Sequence, residues 1–396
     1  MEKFLLDRLL RRLRQGGVKI RYWDGDERVY GPARPYLTIH YKSPAAVRGV
    51  IKNLSLGLGE GYMNGLIDFD GPIAKLIQLG DENTAAVAGF SLKALTSRPQ
   101  RNHKSAQARQ IQHHYDLGND FYRLWLDRSL TYSCAYFATP ADDLEAAQQH
   151  KLDHVLRKLQ LQSGQRLLDI GSGWGGLLIA AAQRYGATGL GITLSREQLA
   201  GARQAAAKAG VADRVTFELM NYQDLAATSQ RFDRIVSVGM YEHVGRHNHA
   251  SYFAAVDRLL ADGGLTVLHT ISQQQELPND PWIDRYIFPG GYLPTIAGTV
   301  AYATNHNFRL LDYENLRLHY ALTLEAWLNR FESHSSQIKA MYDERFVRMW
   351  RFYLSVSAGS FRYGGLDLSQ FVFSKGRRND LPLTRDFLYQ PDHEAL

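Results

Sequence analysis

Hydrophobic residues recur at two different spacings along the chain, and the change in spacing separates two regions. Near the N-terminus the apolar positions follow helical spacing, with arginines between them, at Leu5, Leu6, Leu9, Leu10 and Leu13. This pattern predicts an amphipathic basic helix. Strand-like runs follow as VKIRYW and YLTIHYK, and glycine-separated apolar stretches then indicate short helices. We therefore predict a small mixed α+β domain over residues 1–95.

Strand–helix alternation replaces this pattern from about residue 150. RLLDI leads into GSGWGGLLIAAAQRYG, and GATGLGITL leads into SREQLAGARQAAAKAG. RVTFELM, FDRIVSV, a helix around YFAAVDRLL, the turn ADGG and the strand LTVLHTI follow. Short apolar strands that alternate with helices indicate a parallel sheet covered on both faces. We predict an α/β, Rossmann-like domain over residues 111–396, joined to the first domain by a polar, basic linker at residues 96–110.

The formal net charge of +6 is spread unevenly along the chain. The first basic cluster consists of Lys3, Arg8, Arg11, Arg12, Arg14, Lys19 and Arg21, and the second of Arg98, Arg101, Lys104 and Arg109. Such clusters attract polyanions, either nucleic acid or an anionic membrane face. The alternative is a solvated helix face and a basic linker. Likewise, the N-terminal helix would either lie on a membrane or pack on its own domain.

The single cysteine, Cys134, excludes an intrachain disulfide framework and a Cys-rich zinc site. We expect no metal. Charges interrupt the apolar residues at the N-terminus, which argues against a signal peptide. No stretch reaches the roughly 18 uninterrupted apolar residues of a membrane span. We therefore expect a cytoplasmic protein.

A glycine-rich loop, LLDIGSGWGG, connects the first predicted strand of the α/β domain to its helix. Glycines permit positive φ and let a ligand approach the backbone, although they would also serve the turn alone. A dinucleotide site needs an acidic residue at the end of the next strand, where GITLSREQ has none, and no Walker lysine follows. Asp169 before the loop and Trp174 within it favour the S-adenosylmethionine site of a class I methyltransferase.

Seven segments together resemble the cyclopropane-fatty-acyl-phospholipid synthase family, which includes the mycolic acid cyclopropane synthases. They are LDIGSGWGG, YSCAYF, HHYDLGNDFY, GITLSREQ, FDRIVSVGMYEHVG, LHTI and DPWIDRYIFPGGYLP, and the likeness covers about residues 105–375. LGLGEGYMNGLIDFDG resembles the extra N-terminal domain of the bacterial phospholipid enzymes. The resemblance implies transfer of a methylene group from S-adenosylmethionine across a cis double bond of a phospholipid acyl chain.

The resemblance also implies which residues bind S-adenosylmethionine. Their positions in this sequence are Tyr132, Ser133, Asp169, Gly171, Ser172, Gly173, Trp174, Gly175, Thr193, Leu194, Gln198, Tyr222 and Gln223. Thr193 and Gln198 would hold the ribose and the methionine end, and Tyr222 and Gln223 the adenine.

A second implied ligand is a bicarbonate ion in the active site, which would act as the base of the reaction. Its ligands match Cys134, Glu242, His269, Ile271 and Tyr320, with Cys134 and Ile271 acting largely through their backbone. Taken without the family, Glu242 would equally serve as a helix cap and His269 as a core histidine. Cys134 has no basic neighbour in the sequence that would lower its pKa, so we do not expect it to be a nucleophile.

Two positions depart from the family pattern. Family members often carry a cysteine, sometimes assigned to catalysis, before a C-terminal AG pair, and this chain has Ser357 there. Ser172 replaces the usual cysteine of the glycine loop. The chain would be inactive if the C-terminal thiol were essential, but alkylation of an alkene followed by deprotonation does not require it.

Aromatic side chains would stabilise the carbocation formed on the acyl chain, since an aromatic face attracts a cation. The candidates are Tyr115, Tyr132, Tyr136, Phe137, Tyr241, Trp282, Tyr286, Phe288 and Tyr320, and core packing is the alternative for each. We further expect residues 275–330 to cover the acyl site.

The expected partners are the phospholipid membrane surface, unsaturated acyl chains and a second copy of the chain in a homodimer, but not nucleic acid. The protein would associate peripherally with the inner face of the cell membrane. Three alternatives stay open at this point: a fatty-acid or small-molecule methyltransferase with the same core, a lipid-binding protein without catalysis, and a nucleic-acid-modifying enzyme.

Overall fold

The computed structural model describes residues 1–84 and 117–389 of the 396-residue chain. The predicted linker, its basic cluster and Tyr115 lie outside the described residues. The described chain forms two compact units. Unit 1 contains residues 1–84 with Glu276–Gly290 and Tyr320–Leu366; unit 2 contains the other described residues. The predicted boundary near residue 95 stays a prediction.

The strands of the described residues are, in chain order, β1 (Val18–Arg21), β2 (Glu27–Tyr30), β3 (Thr38–Tyr41), β4 (Ile67–Asp70), β5 (Arg166–Ile170), β6 (Thr188–Thr193), β7 (Val215–Leu219), β8 (Phe232–Val238), β9 (Leu260–Gln273), β10 (Phe308–Asn315) and β11 (Leu366–Lys375).

The α-helices of the described residues are α1 (Glu2–Leu10), α2 (Pro44–Lys52), α3 (Leu54–Met63), α4 (Lys75–Asp81), α5 (Asn119–Arg123), α6 (Leu144–Lys158), α7 (Gly176–Tyr185), α8 (Arg196–Lys208), α9 (Tyr222–Leu225), α10 (His249–Leu259), α11 (Pro281–Tyr286), α12 (Ile296–Thr304), α13 (Arg317–Ser333), α14 (Ser335–Met341) and α15 (Glu344–Arg362).

Unit 1 is built around a small sheet in the order β2-β1-β3-β4. The pattern of alternating apolar residues is confirmed, since Val18 and Ile20 of β1 are buried between polar neighbours. Ser43 and Asn53 each accept a hydrogen bond from a backbone amide at the start of α2 and α3, which explains where these helices begin. The small mixed α+β region that we predicted is therefore present.

Helix α1 confirms the predicted amphipathic helix at the N-terminus. Leu6 is buried, and Leu9, Leu10 and Leu13 pack partly buried against the core of unit 1. The helix therefore packs on its own unit, which was one of the two alternatives; the other was a position on a membrane surface. Its other face leaves Phe4 and Leu5 exposed.

Unit 2 is an α/β unit, and of the described residues seven strands form its sheet, in the order β10-β11-β9-β8-β5-β6-β7. The pairs β5–β6, β5–β8, β6–β7 and β8–β9 are parallel, and β10 pairs antiparallel with β11. The two faces bury separate hydrophobic clusters, as expected for a sheet covered on both sides. The predicted Rossmann-like methyltransferase fold is confirmed.

The prediction of a turn at ADGG, residues 261–264, was wrong. These residues belong to β9, which runs without interruption from Leu260 to Gln273. Gly263 has a φ of +72°, and the pairing of β8 with β9 shifts register between Phe232 and Arg234. Because a bulge accommodates such a residue within the strand, the glycines did not end it.

The chain segments outside the sheets complete the two units. Among the described residues we find no helix that is long and apolar enough to span a bilayer. Those residues also contain no cluster of three or more His, Cys, Asp or Glu side chains able to hold a metal ion.

Candidate active site

A cavity opens in unit 2 where β5, β6 and β8 end, the edge at which parallel α/β sheets bind ligands. It encloses about 1080 Å³ of empty space, including its open mouth. Residues of the glycine loop, of the segment from Ser129 to Ser133 and of the turn after β8 line it. The strand ends therefore bring together motifs that are more than 100 residues apart in the chain.

Two glycines shape the loop between β5 and α7. Gly171 has a φ of +89°, and its amide donates to Ile192 O at 2.9 Å, which ties the loop to the end of β6. Gly175 caps α7 at a φ of +86°, and a Cβ there would lie 2.7 Å from the ring of Phe217. Any other residue at these positions would strain the backbone, and its Cβ would collide with Met240 at Gly171 or with Phe217 at Gly175.

The residues predicted to bind S-adenosylmethionine converge on this cavity. All line it except Gly175, which turns the chain behind it, and Gln223, whose amide instead lies 3.4 Å from the hydroxyl of Tyr222. Thr193 donates to Gln198 Oε1 at 2.8 Å, so these two act as one polar pair at the end of β6. Their individual roles stay predictions.

A buried hydroxyl and a neutral imidazole both line the cavity. Ser172 Oγ, on the glycine loop, is buried and has no hydrogen-bond partner among the described residues. A buried hydroxyl without a partner costs free energy, so the atom is suited to a ligand that fills the cavity. The cavity also contains His243, whose pKa burial lowers to about 4, so the imidazole is neutral near pH 7.

A buried lysine, which was not identified from the sequence, also lines the cavity. Lys151 of α6 donates to Ser133 Oγ at 3.1 Å and lines the cavity with Asp169. Burial lowers the pKa of Lys151 to about 8, while the nearby carboxyl groups of Asp127 and Asp169 oppose this. Burial likewise raises the pKa of Asp169 to about 7, opposed by Lys151. Each group therefore stabilises the charged form of the other.

Glu242 lies in the short 3-10 turn Tyr241–His243 that follows β8. The amide of Ile271 donates to its Oε1 at 2.7 Å, but Oε2 is buried and has no hydrogen-bond partner in the described chain. Burial raises the pKa of Glu242 to about 7, and the bond from Ile271 opposes this rise. The geometry excludes a simple helix cap, since the side chain bonds across to β9.

His269 lies on β9, two residues before Ile271, and is also buried. Its Nδ1 is 2.9 Å from the amide nitrogen of Gln370, while Nε2 has no partner among the described residues. Burial lowers its pKa well below the ordinary value, so the ring is neutral. His269 is thus not a satisfied core histidine, because one ring nitrogen is left without a partner.

Comparison with known proteins decides the family. The family model for mycolic acid cyclopropane synthetase matches residues 102–371, and a domain of unknown function (DUF7884) matches residues 5–88. A cyclopropane-fatty-acyl-phospholipid synthase from Escherichia coli (strain K12) is 41% identical over 359 residues, 88% of this chain and 90% of that protein. The chain belongs to the cyclopropane-fatty-acyl-phospholipid synthase family.

Two further relatives support the membership. A probable fatty acid methyltransferase from Pseudomonas putida is 38% identical over 384 residues, covering 94% of this chain and 96% of that protein. The crystal structure of the mycolic acid cyclopropane synthase CmaA1 complexed with SAH and CTAB matches with a TM-score of 0.64 and 34% identity, over 70% of this chain and all of that chain. This member of the cyclopropane synthase family is an S-adenosylmethionine-dependent methyltransferase, and its cavity fits that cofactor.

The remaining predicted site residues of this family member lie in different places. Cys134 is buried in unit 2, and its thiol is 3.1 Å from Ala135 O. The amide of Ile271 is bonded to Glu242, so its assignment as an anion ligand stays a prediction. Tyr320 belongs to unit 1, where its ring packs on Phe361 at 4.6 Å. Ser357 lies half-buried on α15 of the same unit.

The aromatic residues proposed to stabilise a carbocation are likewise divided between the two units. Tyr132 lines the cavity, while Tyr241 packs in the core of unit 2 against Tyr252 and Phe253. Tyr136 is stacked between two histidines, at 4.2 Å from His154 and 4.7 Å from His319. The backbone amide of Phe137 donates to His319. The candidates Trp282, Tyr286 and Phe288 belong to unit 1.

Proposed function

We propose that this enzyme converts cis double bonds of phospholipid acyl chains to cyclopropane rings, with bicarbonate as the base. Membership in the family supports cyclopropanation of lipid acyl chains. The observation that carries the finer proposal is the pair of buried atoms without partners, Glu242 Oε2 and His269 Nε2. Both residues are held at the same end of β9, the first through Ile271 and the second directly.

The two atoms suit a bicarbonate ion because they offer complementary hydrogen-bonding groups. A carboxylate oxygen of Glu242 accepts a hydrogen bond from the hydroxyl of bicarbonate, which increases the basicity of the ion. A protonated Nε2 of His269 donates to one of its other oxygens. Tyr320, which the family resemblance assigns to the same ion, belongs to unit 1, and its role stays a prediction.

When bound, S-adenosylmethionine would supply a sulfonium methyl group electrophilic enough for an isolated alkene to attack, and the anion held by Glu242 and His269 would serve as the base for the proton that this carbon must lose before the ring closes. The protein aligns the reactants, an effect that contributes about 7–11 kcal/mol at best. Lys151 and Asp169 hold the polar end of the cofactor cavity, and Ser172 Oγ donates into it. Cys134 contributes through its backbone and not as a nucleophile.

Fatty-acid methylation is the second candidate function. The relative from Pseudomonas putida, which covers 94% of this chain, is named a probable fatty acid methyltransferase. Such an enzyme would attach the methyl carbon to the acyl chain without closing a ring. The two products differ in their protons, since only a cyclopropane has ring methylene protons.

We further propose that α1 docks on an anionic membrane face, peripherally and from the cytoplasmic side. Phe4, Leu5 and Arg8 are exposed on α1, and Arg12 is exposed in the turn that follows it; neither arginine forms an ion pair with any described residue. Apolar and cationic side chains on one helix face are typical of helices that lie in the headgroup region. The homodimer stays a prediction.

The decisive experiment incubates the purified enzyme with vesicles of a cis-monounsaturated phospholipid and S-adenosylmethionine, with and without added bicarbonate in carbonate-free buffer. We expect cyclopropyl protons in the NMR spectrum of the extracted lipid, and a rate that rises with bicarbonate. Glu242→Gln should lower turnover about 100-fold or more, because a neutral amide is a weaker acceptor for the bicarbonate hydroxyl and increases the basicity of the ion less.

Cofactor affinity, measured by calorimetry, should be unchanged in Glu242→Gln, and Glu344→Gln is the matched control at an exposed carboxylate. Unchanged turnover in Glu242→Gln, or turnover independent of bicarbonate, would refute the role of the anion. A methyl branch in place of ring protons would establish the second candidate function.

A further inference from the structure

A buried hydrogen-bonded relay extends from Nδ1 of His269 through three further side chains. Gln370 of β11 faces His269 at 2.9 Å from Nδ1 and accepts a hydrogen bond at Oε1 from Lys158 of α6 at 2.7 Å. Lys158 also donates to Glu314 of β10, which in turn lies 2.6 Å from His154. Gln370 and Lys158 are almost inaccessible to solvent. Neither belongs to any of the motifs that we found in the sequence.

The charge of Lys158 determines how the amide of Gln370 is oriented. An ammonium group can only donate hydrogen bonds, so the atom of Gln370 next to it must be the carbonyl oxygen. The NH₂ group of the amide then faces His269 and donates to Nδ1. A neutral imidazole that accepts at Nδ1 carries its proton on Nε2. Burial lowers the pKa of Lys158, and the hydrogen-bonded carboxylate of Glu314 opposes this and favours the ammonium form.

We infer that Gln370, oriented by Lys158, is a positioning residue that holds His269 in the tautomer protonated at Nε2. This inference rests on the proposed function, because the Nε2 proton is the one that would be donated to the bound anion. This role accounts for the buried Gln370 and Lys158, which connect to Nδ1 of His269 and not to Nε2. With the proton on Nδ1, the ring would present a lone pair to an anion and repel it.

The test is Gln370→Glu, which keeps the size of the side chain and replaces the NH₂ donor with an acceptor. A carboxylate beside Nδ1 favours a proton on that nitrogen. Long-range nitrogen–proton NMR correlations of protein labelled with ¹⁵N-histidine report the tautomer, and loss of the signal in His269→Asn assigns it. We expect protonation at Nε2 in the wild type, protonation at Nδ1 in Gln370→Glu, and turnover lowered about 10- to 100-fold.

Two further variants separate positioning from packing. Gln370→Met keeps the volume but removes the donor, and we expect a mixture of tautomers with intermediate turnover. Ser374→Ala, on the same face of β11, removes a hydroxyl that bonds only to Gly376 O, and should leave tautomer and turnover unchanged. Thermal unfolding and cofactor binding show that each variant is folded.

The tautomer measurement does not depend on turnover, so it can fail separately from the proposed function. A wild-type His269 protonated at Nδ1, or a Gln370→Glu variant that keeps the Nε2 proton, overturns the inference. A wild-type protein with the expected tautomer but no activity on unsaturated lipids would instead refute the proposed function.

Discussion

Burial changes the ionisation of single residues at the candidate active site. Glu242 and Asp169 both have a pKa raised to about 7 by burial, and Lys151 has one lowered to about 8. Such shifts cluster where groups must exchange protons or hold charged ligands. In the protein without ligands, the burial of each of these ionisable groups therefore lowers the free energy of unfolding.

The cost at Glu242 predicts a pH dependence of stability. A carboxyl group whose pKa is raised in the folded state stabilises the fold below its unfolded pKa of 4.5, and this contribution is lost as pH rises through about 7. The shift corresponds to at most about 3 kcal/mol. We expect the wild type to lose stability relative to Glu242→Gln between pH 5 and pH 8 in thermal unfolding without ligands.

Exposed Glu344→Gln is the control for this comparison, and its difference from the wild type should not change over the same pH range. A constant difference between wild type and Glu242→Gln at all pH values would show that Glu242 is not protonated in the fold.

At the scale of elements, the N-terminal helix and the turn after it present one buried and one exposed side. Its leucines at positions 6, 9, 10 and 13 stabilise unit 1, while Phe4, Leu5, Arg8 and Arg12 are left exposed. Part of the basic cluster read from the sequence is already neutralised, because Lys3 is paired with Asp24 and Asp26, and Arg11 with Asp7. The charge available to a membrane is therefore that of the exposed arginines.

Replacing Arg8 and Arg12 with glutamine, or Phe4 and Leu5 with serine, should weaken binding to anionic vesicles. Each arginine near an anionic surface contributes about 1 kcal/mol, so the double arginine variant should bind about tenfold or more weakly in a sedimentation assay at low salt. Arg231→Gln, at an exposed position of unit 2, is the control. Unchanged binding of both double variants would exclude α1 as the docking face.

At the scale of the whole molecule, unit 1 is assembled from three parts of the chain. Trp282 packs against α3 so closely that a Cβ on Gly59 would lie 2.3 Å from its ring. The ring of Phe352 lies 5.8 Å from that of Tyr62, and Arg348 donates to Ile67 O at 2.7 Å. Residues 1–84 therefore share their core with segments that come more than 190 residues later.

Trp282→Ala should destabilise the sheet of residues 1–84, although position 282 lies far along the chain. Removal of a fully buried tryptophan costs about 3–5 kcal/mol. Hydrogen exchange measured by mass spectrometry should show lost protection in α3 and in β3 and β4, while β5 and β6 of unit 2 keep theirs. Trp23→Ala, at a partly exposed ring, is the matched control. Unchanged exchange in residues 1–84 would show that this region folds without the later segments.

Local patterns in the sequence were sufficient for the elements and for the cofactor cavity. Strand–helix alternation predicted the parallel sheet, and the glycine loop predicted where a ligand would lie, because strand ends and glycine turns are properties of neighbouring residues. The ADGG turn was wrong for a related reason: glycines mark a local change of backbone direction, but here they form a bulge within β9, whose pairing with β8 skips residues 261–264 and resumes at Leu265.

Tertiary structure alone decided which distant groups face one another. Nothing near Lys151 in the sequence predicts its position beside Asp169, and nothing near Gln370 predicts its bond to His269. These contacts depend on which strand lies next to which, since the order β11-β9-β8-β5 places residues from positions 169 to 370 in one sheet. The sequence by itself determined which segments form strands and helices, through the spacing of their hydrophobic residues. The order of the strands in the sheet determined which buried polar groups face one another.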